Sequence, residues 1–174
     1  MTWSRPRRTD GEEPQRSHAR PGLAGLSLKG RALKYLAARE HSRAELTRKL
    51  AAHAESPEQI DALLDELERL GYLSAERVVA SVIHRKAARF GSARIRQELV
   101  AKGLDIAEHG EALVALRDTE FQRAHEAWQR RFGETPAADA QERARQARFL
   151  LARGFPAGIV ARIVRGSGDP ASND

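Results

Sequence analysis

The sequence has no cysteine and a single methionine among its 174 residues. It can therefore form neither disulfide bonds nor thiolate metal sites, which fits a protein of a reducing compartment. No apolar run approaches the roughly 18–20 residues of a membrane-spanning helix. Residues 1–8 are basic, but the apolar segment of a secretory signal does not follow them. We therefore expect a cytoplasmic protein that does not enter a membrane.

Sequence patterns for catalysis and for cofactors are missing as well. The six histidines form no His-Glu-x-x-His motif, and without cysteine they cannot complete a common zinc-binding set. A glycine-rich phosphate loop would have to follow a strand, and no strand pattern occurs. The sequence therefore predicts a protein that is not an enzyme and that needs neither a metal nor another cofactor.

Short amphipathic helices, separated by glycine, proline and serine, fill the middle of the chain. Apolar residues recur there at spacings of three and four, which is the periodicity of a helix with one buried face. Ser42 and Glu45 have the spacing of a capping box, and Ser74, Ser92 and Asp118 are each expected to cap a helix. The pattern predicts nine short helices and an all-α fold.

A motif of leucine, two residues and a cation occurs three times, as Leu46-x-x-Lys49, Leu99-x-x-Lys102 and Leu150-x-x-Arg153. In each copy we expect a turn after the cation that leads into an apolar anchor. The leucines are 53 and 51 residues apart, a near-constant period that indicates tandem copies of one unit. We expect an elongated array because each unit is too small to form a large core alone. The predicted segments are a disordered tail at 1–26, three-helix repeats at 27–73, 74–117 and 118–166, and a second tail at 167–174.

Positive charge is concentrated in the second and third predicted repeats. The chain has 30 basic and 24 acidic residues, and 25 of the basic residues are arginine. This excess favours a polyanionic partner, although a GC-rich genome would also raise the arginine content. If the repeats stack in register, the cations of 84–102 and 142–165 form one basic stripe facing DNA phosphates or acidic protein loops. The candidate binding residues are Arg85, Lys86, Arg89, Arg94, Arg96, Lys102, Arg143, Arg145, Arg148 and Arg153.

Two aromatic residues have two interpretations, and a third has one. Trp128 and Phe132 lie beside Arg130 and Arg131, where aromatic rings could stack on unpaired bases. Their helical spacing with other apolar residues favours core packing instead. Tyr72, which follows a glycine between two predicted repeats, is expected to anchor one repeat against the next.

Four ordered segments together resemble one known family. They are RALKYLAAREHSRAELTRKL at 31–50, LGYL at 70–73, RIRQELVAKG at 94–103 and RFLLARGF at 148–155. In their order and spacing they resemble the RecX family of bacterial recombination regulators, over about residues 27–166.

The resemblance implies three tandem three-helix repeats in an extended, slightly curved monomer. It also implies binding along the groove of the RecA recombinase filament, with suppression of ATP hydrolysis and of strand exchange. The implied setting is recombination, DNA repair and the SOS response, with single- or double-stranded DNA in or beside the filament.

The chain departs from the family pattern at His109-Gly110, where the family usually has an apolar helical residue. Glycine inside a helix costs roughly 1 kcal/mol relative to alanine. We therefore expect the sixth helix, predicted at about 106–116, to be frayed or displaced.

A second function stays open at the level of sequence. Each three-helix repeat could resemble a helix-turn-helix unit, and the chain would then be a DNA-binding transcription regulator. No single helix concentrates the Arg, Asn and Gln residues that read bases, which favours the regulator of a filament.

Overall fold

The computed structural model describes residues 25–133 and 137–166, and this part of the chain contains helices and no strand. The all-α prediction is therefore confirmed. The two predicted tails lie, apart from Gly25 and Leu26, outside the described residues. Within the described ranges there are nine α-helices: α1 (Leu28–Ala38), α2 (Arg43–Leu50), α3 (Pro57–Arg69), α4 (Ala75–Lys86), α5 (Ser92–Ala101), α6 (Gly110–Asp118), α7 (Glu120–Phe132), α8 (Ala140–Leu151) and α9 (Ala157–Val164).

In the part of the chain that the structure describes, the buried apolar side chains form three separate clusters, one for each successive group of three helices. Helices α1–α3 bury the first cluster, α4–α6 the second and α7–α9 the third. The fold is thus a helical repeat, as the sequence predicts, while the repeat boundaries stay predictions. Fully buried leucine, isoleucine and valine side chains form the centres of these clusters: Leu46, Leu50, Leu64 and Leu67; Val82, Ile95 and Leu99; and Leu150.

Local capping fixes where several helices begin. The capping box of α2 is present, because the Ser42 hydroxyl accepts from the Glu45 amide at 3.2 Å while the Glu45 carboxylate accepts from the Ser42 amide at 3.0 Å. The Ser74 hydroxyl caps α4 by accepting from the Arg77 amide at 3.2 Å. Both caps confirm the sequence patterns that predicted them.

Two predicted caps are wrong. Helix α5 has Gly91 at its N-cap, and the Ser92 hydroxyl donates to Glu120 rather than accepting from its own helix. Asp118 is the last residue of α6, and α7 begins at Glu120 after Thr119 without a side-chain cap. At α5 a residue 28 positions away in the chain replaces the predicted cap, so the local pattern is a poor guide there.

The sixth helix is displaced rather than frayed. It begins at Gly110 and is preceded by a short 3-10 turn, Ala107–His109. Gly110 therefore occupies the first helical position, where it interrupts no hydrogen-bonded turn. His109 becomes buried against the second cluster's helices, with 8% of its surface exposed.

The C-terminal end of α5 packs against the N-terminal end of α2, and we call this contact the first junction. The Ser42 hydroxyl donates to the Lys102 carbonyl at 2.6 Å, and the Lys102 ammonium lies 2.8 Å from the Glu45 carboxylate. Gly103 has a positive φ of +75°, and a Cβ atom there would lie 2.8 Å from the Ala44 side chain. The conformation and the space both require glycine.

The C-terminal end of α8 packs in the same way against the N-terminal end of α5, and we call this contact the second junction. The Gly91 amide donates to the Arg153 carbonyl at 2.9 Å. A Cβ at Gly91 would lie 2.1 Å from the Gly154 carbonyl oxygen, so the two backbones meet without side chains between them. The Arg94 guanidinium adds a bond to the Ala152 carbonyl at 3.1 Å.

The turn predicted after the cation of the leucine–cation motif is present in two copies, at the two junctions. In the third copy the prediction is wrong. After Lys102 and Arg153 the chain turns at a glycine with positive φ, as expected. After Lys49 it does not turn, because Leu50 is still helical and a 3-10 turn, Ala51–His53, continues the chain. No glycine follows Lys49, so the chain lacks at this point the left-handed turn that follows Lys102 and Arg153.

Tyr72 is not an anchor between repeats. Its surface is 53% exposed, whereas the next residue, Leu73, is 4% exposed and belongs to the first cluster. The Tyr72 carbonyl accepts from the Arg77 guanidinium at 3.0 Å. Tyr72 therefore stabilises the connection between α3 and α4 through its backbone carbonyl and not through its ring.

Candidate functional site

Arginines of α7 hold the C-terminal end of α4 at the second junction. Arg123 donates to the carbonyls of Ala87 and Phe90, at 2.9 Å each, and Arg130 donates to the carbonyl of Ala88. Ala87 is the C-cap of α4, and Ala88 and Phe90 follow it, so these carbonyls have no partner within the helix and are free to accept from cations. This contact fixes the position of α7 beside the loop that leads from α4 to α5.

Four arginines converge on an open pocket beside this contact. The pocket has a volume of about 210 Å³ and is lined by Arg89, Ala127, Arg130, Arg131, Phe149 and Arg153. We call it the arginine pocket. Its residues come from the end of α4, from α7 and from the end of α8, so groups that are distant in sequence meet at the second junction.

The positive charge of the arginine pocket is not neutralised by the protein. Within 25–133 and 137–166, no carboxylate forms an ion pair with any of its four arginines. Burial lowers the pKa of Arg153, and the neighbouring charges of Arg89, Arg131 and Arg94 lower this pKa further. Like charges held together at a surface raise the local positive potential and attract anions.

Aromatic rings support several of these cations. The Arg153 guanidinium lies 3.6 Å from the centre of the Phe149 ring. The Phe90 ring is approached by Lys86, Arg89 and Arg94, at 5.4, 5.6 and 4.9 Å. Such cation–π contacts favour a fixed position for a guanidinium that has no acidic partner.

Phe132 makes the same kind of contact, and Trp128 belongs to the core. Arg131 and Arg145 lie 5.6 and 5.4 Å from the Phe132 ring. Trp128 is 6% exposed, and its indole nitrogen donates to the Gln146 side chain at 2.8 Å. The core interpretation of Trp128 is therefore confirmed, and Phe132, which is partly buried, packs against the same cluster.

The structure brings three of the ten sequence-predicted residues, Arg89, Arg94 and Arg153, close together. Lys102 lies elsewhere, at the first junction, where its charge is paired with Glu45. Two further candidates also have acidic partners: Lys86 lies 3.3 Å from Glu98, and Arg145 lies 3.0 Å from Glu142. The remaining four are exposed on α4, α5 and α8, namely Arg85, Arg96, Arg143 and Arg148.

Sequence reasoning did not include Arg130 and Arg131 in the site. Because Arg130 and Arg131 lie beside Trp128 and Phe132, the sequence pattern favoured a role for the aromatic rings rather than for the cations. A signal was available, because Arg123 and Arg130 are seven residues apart and so share one face of α7. That spacing predicts a polar contact along the helix, but not which carbonyls it reaches.

Two other kinds of site are absent from the described part of the chain. None of its helices combines the length and the apolar character needed to cross a membrane. Over the same residues, no group of three or more His, Cys, Asp or Glu side chains is arranged to hold a metal ion.

Comparisons with known proteins agree with the repeat architecture. Residues 29–67 match the first three-helix domain of RecX, and residues 118–164 match the third. The RecX crystal structure from Lactobacillus salivarius superimposes with a TM-score of 0.66 at 19% identity and covers 80% of this chain and 93% of that one. A second RecX crystal structure gives a TM-score of 0.65 at 20% identity over 78% of this chain.

Relatives of high identity define the class more closely. A regulatory protein RecX from Leptothrix cholodnii is 62% identical over 140 residues, which is 80% of this chain and 88% of that protein. One from Ralstonia nicotianae is 53% identical over 82% of this chain and 89% of its own length. The molecule is thus a regulatory protein built from helical repeats. The chain belongs to the RecX family.

Proposed function

We propose that this chain binds the RecA recombinase filament on DNA and inhibits its ATP hydrolysis and strand exchange. In the cell it thereby modulates recombination, DNA repair and the SOS response. It acts in the cytoplasm as a monomer, without catalysis of its own. Family membership at 62% identity over 80% of the chain is the observation that carries this proposal.

The architecture supports an elongated partner. Three small cores are joined end to end, and their surface extends along the array. We assign them to repeats 27–73, 74–117 and 118–166. The partner surface that we propose comprises the exposed cations of the second and third groups of helices. Arg85, Arg89, Arg94, Arg96, Arg143, Arg148 and Arg153 form its main part, and Lys86, Lys102 and Arg145 have acidic neighbours that reduce their contribution.

The direct test is ATP hydrolysis by RecA on single-stranded DNA, measured with and without this chain. Inhibition that saturates at less than one molecule per RecA subunit supports filament binding. Unchanged hydrolysis at a large excess of this chain would refute the proposal. Strand exchange between homologous DNA molecules, measured in the same conditions, tests the second part of the activity.

A charge-reversal pair tests the proposed surface. Replacing Arg85, Arg89 and Arg96 by Glu should weaken filament binding strongly, because attractions become repulsions, and the loss should be largest at low salt. The fold should survive, since exposed substitutions usually cost within about 0.5 kcal/mol each.

The matched control replaces Arg48, Lys49 and Arg69 by Glu in the first group of helices. Both sets are exposed, and each contains one cation near an aromatic ring, Arg89 at Phe90 and Lys49 at Tyr35. Arg39 and Arg43 are unsuitable for this control because they form ion pairs with Glu45, Asp61, Asp65 and Glu68. Equal losses in the two variants would contradict the proposed surface and leave the family assignment intact.

The second candidate function is that of a helix-turn-helix-like transcription regulator, favoured only by the three-helix form of each unit. It predicts tight, sequence-specific binding to one duplex without RecA. Footprinting on genomic fragments distinguishes the two functions.

A further inference from the structure

We propose that the arginine pocket is a phosphate-binding site that takes the phosphodiester backbone of a nucleic acid and in doing so clamps the second junction. This inference deepens the proposed function, on which it rests for its biological setting. The binding step itself requires no RecA and is tested without it.

The charge of the pocket fits a dense polyanion. Four guanidinium groups line about 210 Å³, and no ion pair with a carboxylate of the described chain neutralises them. A nucleic-acid strand carries one negative charge on every nucleotide and so brings several charges within reach of neighbouring cations. Guanidinium groups also donate two parallel hydrogen bonds to phosphate oxygens, which a single point charge cannot do.

The position of the pocket couples binding to the junction. Arg89 follows α4, whereas Arg130 and Arg131 belong to α7 and Arg153 follows α8. Without a ligand these cations repel one another across the contact. Burial lowers the pKa of Arg153, and the charges of Arg89, Arg131 and Arg94 lower this pKa further. A bound phosphate replaces that repulsion by attraction on both sides, so it should hold the second and third groups of helices together.

The aromatic rings indicate that the site contacts the backbone rather than the bases. Phe149 is covered by the Arg153 guanidinium at 3.6 Å, and Phe90 is approached by three cations. Proteins that bind single strands by stacking need ring faces that are free to receive bases. Here the rings are occupied by cations, so binding should depend little on base identity and strongly on salt.

An acidic protein segment fits these observations less well. Carboxylate side chains on a protein do not recur at the regular spacing that phosphates have along a strand. Consecutive phosphates are therefore better matched to several neighbouring guanidinium groups than an acidic segment is. An acidic polypeptide is nevertheless a competitor that the experiment includes.

The test is fluorescence anisotropy of a labelled short oligothymidine with the full chain, without RecA. The variant is Arg89→Gln with Arg131→Gln, which removes one exposed cation from each side of the junction and leaves the bonds of Arg130 and Arg153 intact. Affinity should fall about tenfold or more, and the salt dependence should decrease by about 1.4 in log–log slope, since each phosphate contact to a single strand contributes about 0.7. Circular dichroism of the variant checks that its helices are retained.

The matched control is Arg48→Gln with Arg69→Gln, which removes the same charge from exposed positions on α2 and α3. Its affinity should fall less than about threefold. Equal losses in both variants would show that only net charge matters and would overturn the inference, as would unchanged binding in the pocket variant. Poly-glutamate that competes as well as the oligonucleotide, and loses affinity equally in the pocket variant, would assign the pocket to an acidic protein instead.

Two further readouts test the remaining parts. At one fixed concentration, oligothymidine should raise the melting temperature of the parent more than that of the pocket variant, and the absence of a rise in the parent would contradict clamping. Oligoadenosine should bind within a few-fold of oligothymidine, and a strong preference would contradict backbone recognition. If the parent inhibits RecA but does not bind the oligonucleotide, this inference fails and the proposed function stands. If the parent binds the oligonucleotide but does not inhibit RecA, this inference stands and the proposed function fails.

Discussion

At the scale of single residues, Gly154 controls the contact across the second junction. Its φ is +81°, and a Cβ there would lie 2.8 Å from the Arg94 backbone nitrogen. Gly154→Ala should therefore lower the free energy of unfolding by about 2–4 kcal/mol, because a left-handed conformation and a backbone clash add together. Urea denaturation measures the change.

Substitutions at two other glycines distinguish the left-handed conformation from the backbone clash as causes of that loss. Gly71 has a φ of +74° but nothing within 4 Å of an added Cβ, so Gly71→Ala should cost only about 1 kcal/mol. Gly158 is helical and equally open, so Gly158→Ala should be neutral or stabilising by up to about 1 kcal/mol. A loss at Gly154 no larger than that at Gly71 would contradict the close backbone contact.

Glu45 makes the first junction sensitive to acid. Burial by itself raises the pKa of Glu45, but hydrogen bonds from Arg39, Lys102 and the Ser42 amide outweigh it and lower the pKa from 4.5 to about 2. The carboxylate therefore stabilises the folded state above about pH 4.5, and this contribution is lost as the pH falls toward 2.

The expected contribution of Glu45 at neutral pH is roughly 2–3 kcal/mol. Urea denaturation of the parent and of Glu45→Gln, from about pH 6 down to about pH 3, measures it. The two stabilities should converge as the pH falls. A constant difference over the whole range would show that Glu45 acts by packing and not by charge.

At the scale of helices, α5 is capped by a residue of another helix. The Glu120 carboxylate accepts from the Ser92 amide at 2.6 Å and from the Ser92 hydroxyl at 2.7 Å, and it is 2% exposed. A carboxylate at a helix N-terminus satisfies a free amide and interacts favourably with the helix dipole. Glu120 therefore joins α7 to α5 as a cap contributed from outside the helix.

Replacing Glu120 by Ala should cost about 2–4 kcal/mol, because the Ser92 amide and hydroxyl both lose a buried partner. Thermal unfolding followed by circular dichroism measures it. Glu111→Ala, at an exposed first-turn position of α6, is the matched control and should cost less than about 1 kcal/mol. Similar costs for the two variants would mean that the buried hydrogen bonds of Glu120 contribute little.

Helix-scale features divide into those that the sequence could predict and those that it could not. The α2 capping box and the start of α4 at Ser74 depend on residues within four positions of each other, and both are confirmed. The start of α5 depends on Glu120, which is 28 residues away from Ser92. Local patterns carry no information about such a partner, so Ser92 was predicted as a cap.

The same distinction applies to the candidate site. Composition and spacing predicted an excess of cations in the second and third repeats, which the structure contains. They could not predict that Lys102 is paired with Glu45, or that Arg89 lies near Arg153, because each pair joins different repeats. Which cations remain unpaired is decided by tertiary packing.

At the scale of the whole molecule, the repeat architecture predicts an extended shape. Three units, each two or three helices wide at about 8–10 Å between axes, should span roughly 60–75 Å. A compact globule of this chain length would have a radius of gyration of about 16 Å. Small-angle X-ray scattering should give a clearly larger radius and a skewed distance distribution, and a compact profile near about 16 Å would contradict the extended array.

Both junctions join helices in the same sense. The C-terminal end of α5 meets the N-terminal end of α2, and the C-terminal end of α8 meets the N-terminal end of α5. The molecule consequently has a head and a tail, with no internal two-fold axis that could exchange them. A polymer whose own subunits all face one way would therefore be recognised in a single direction, and a molecule turned end for end would present its unpaired arginines to the wrong subunits.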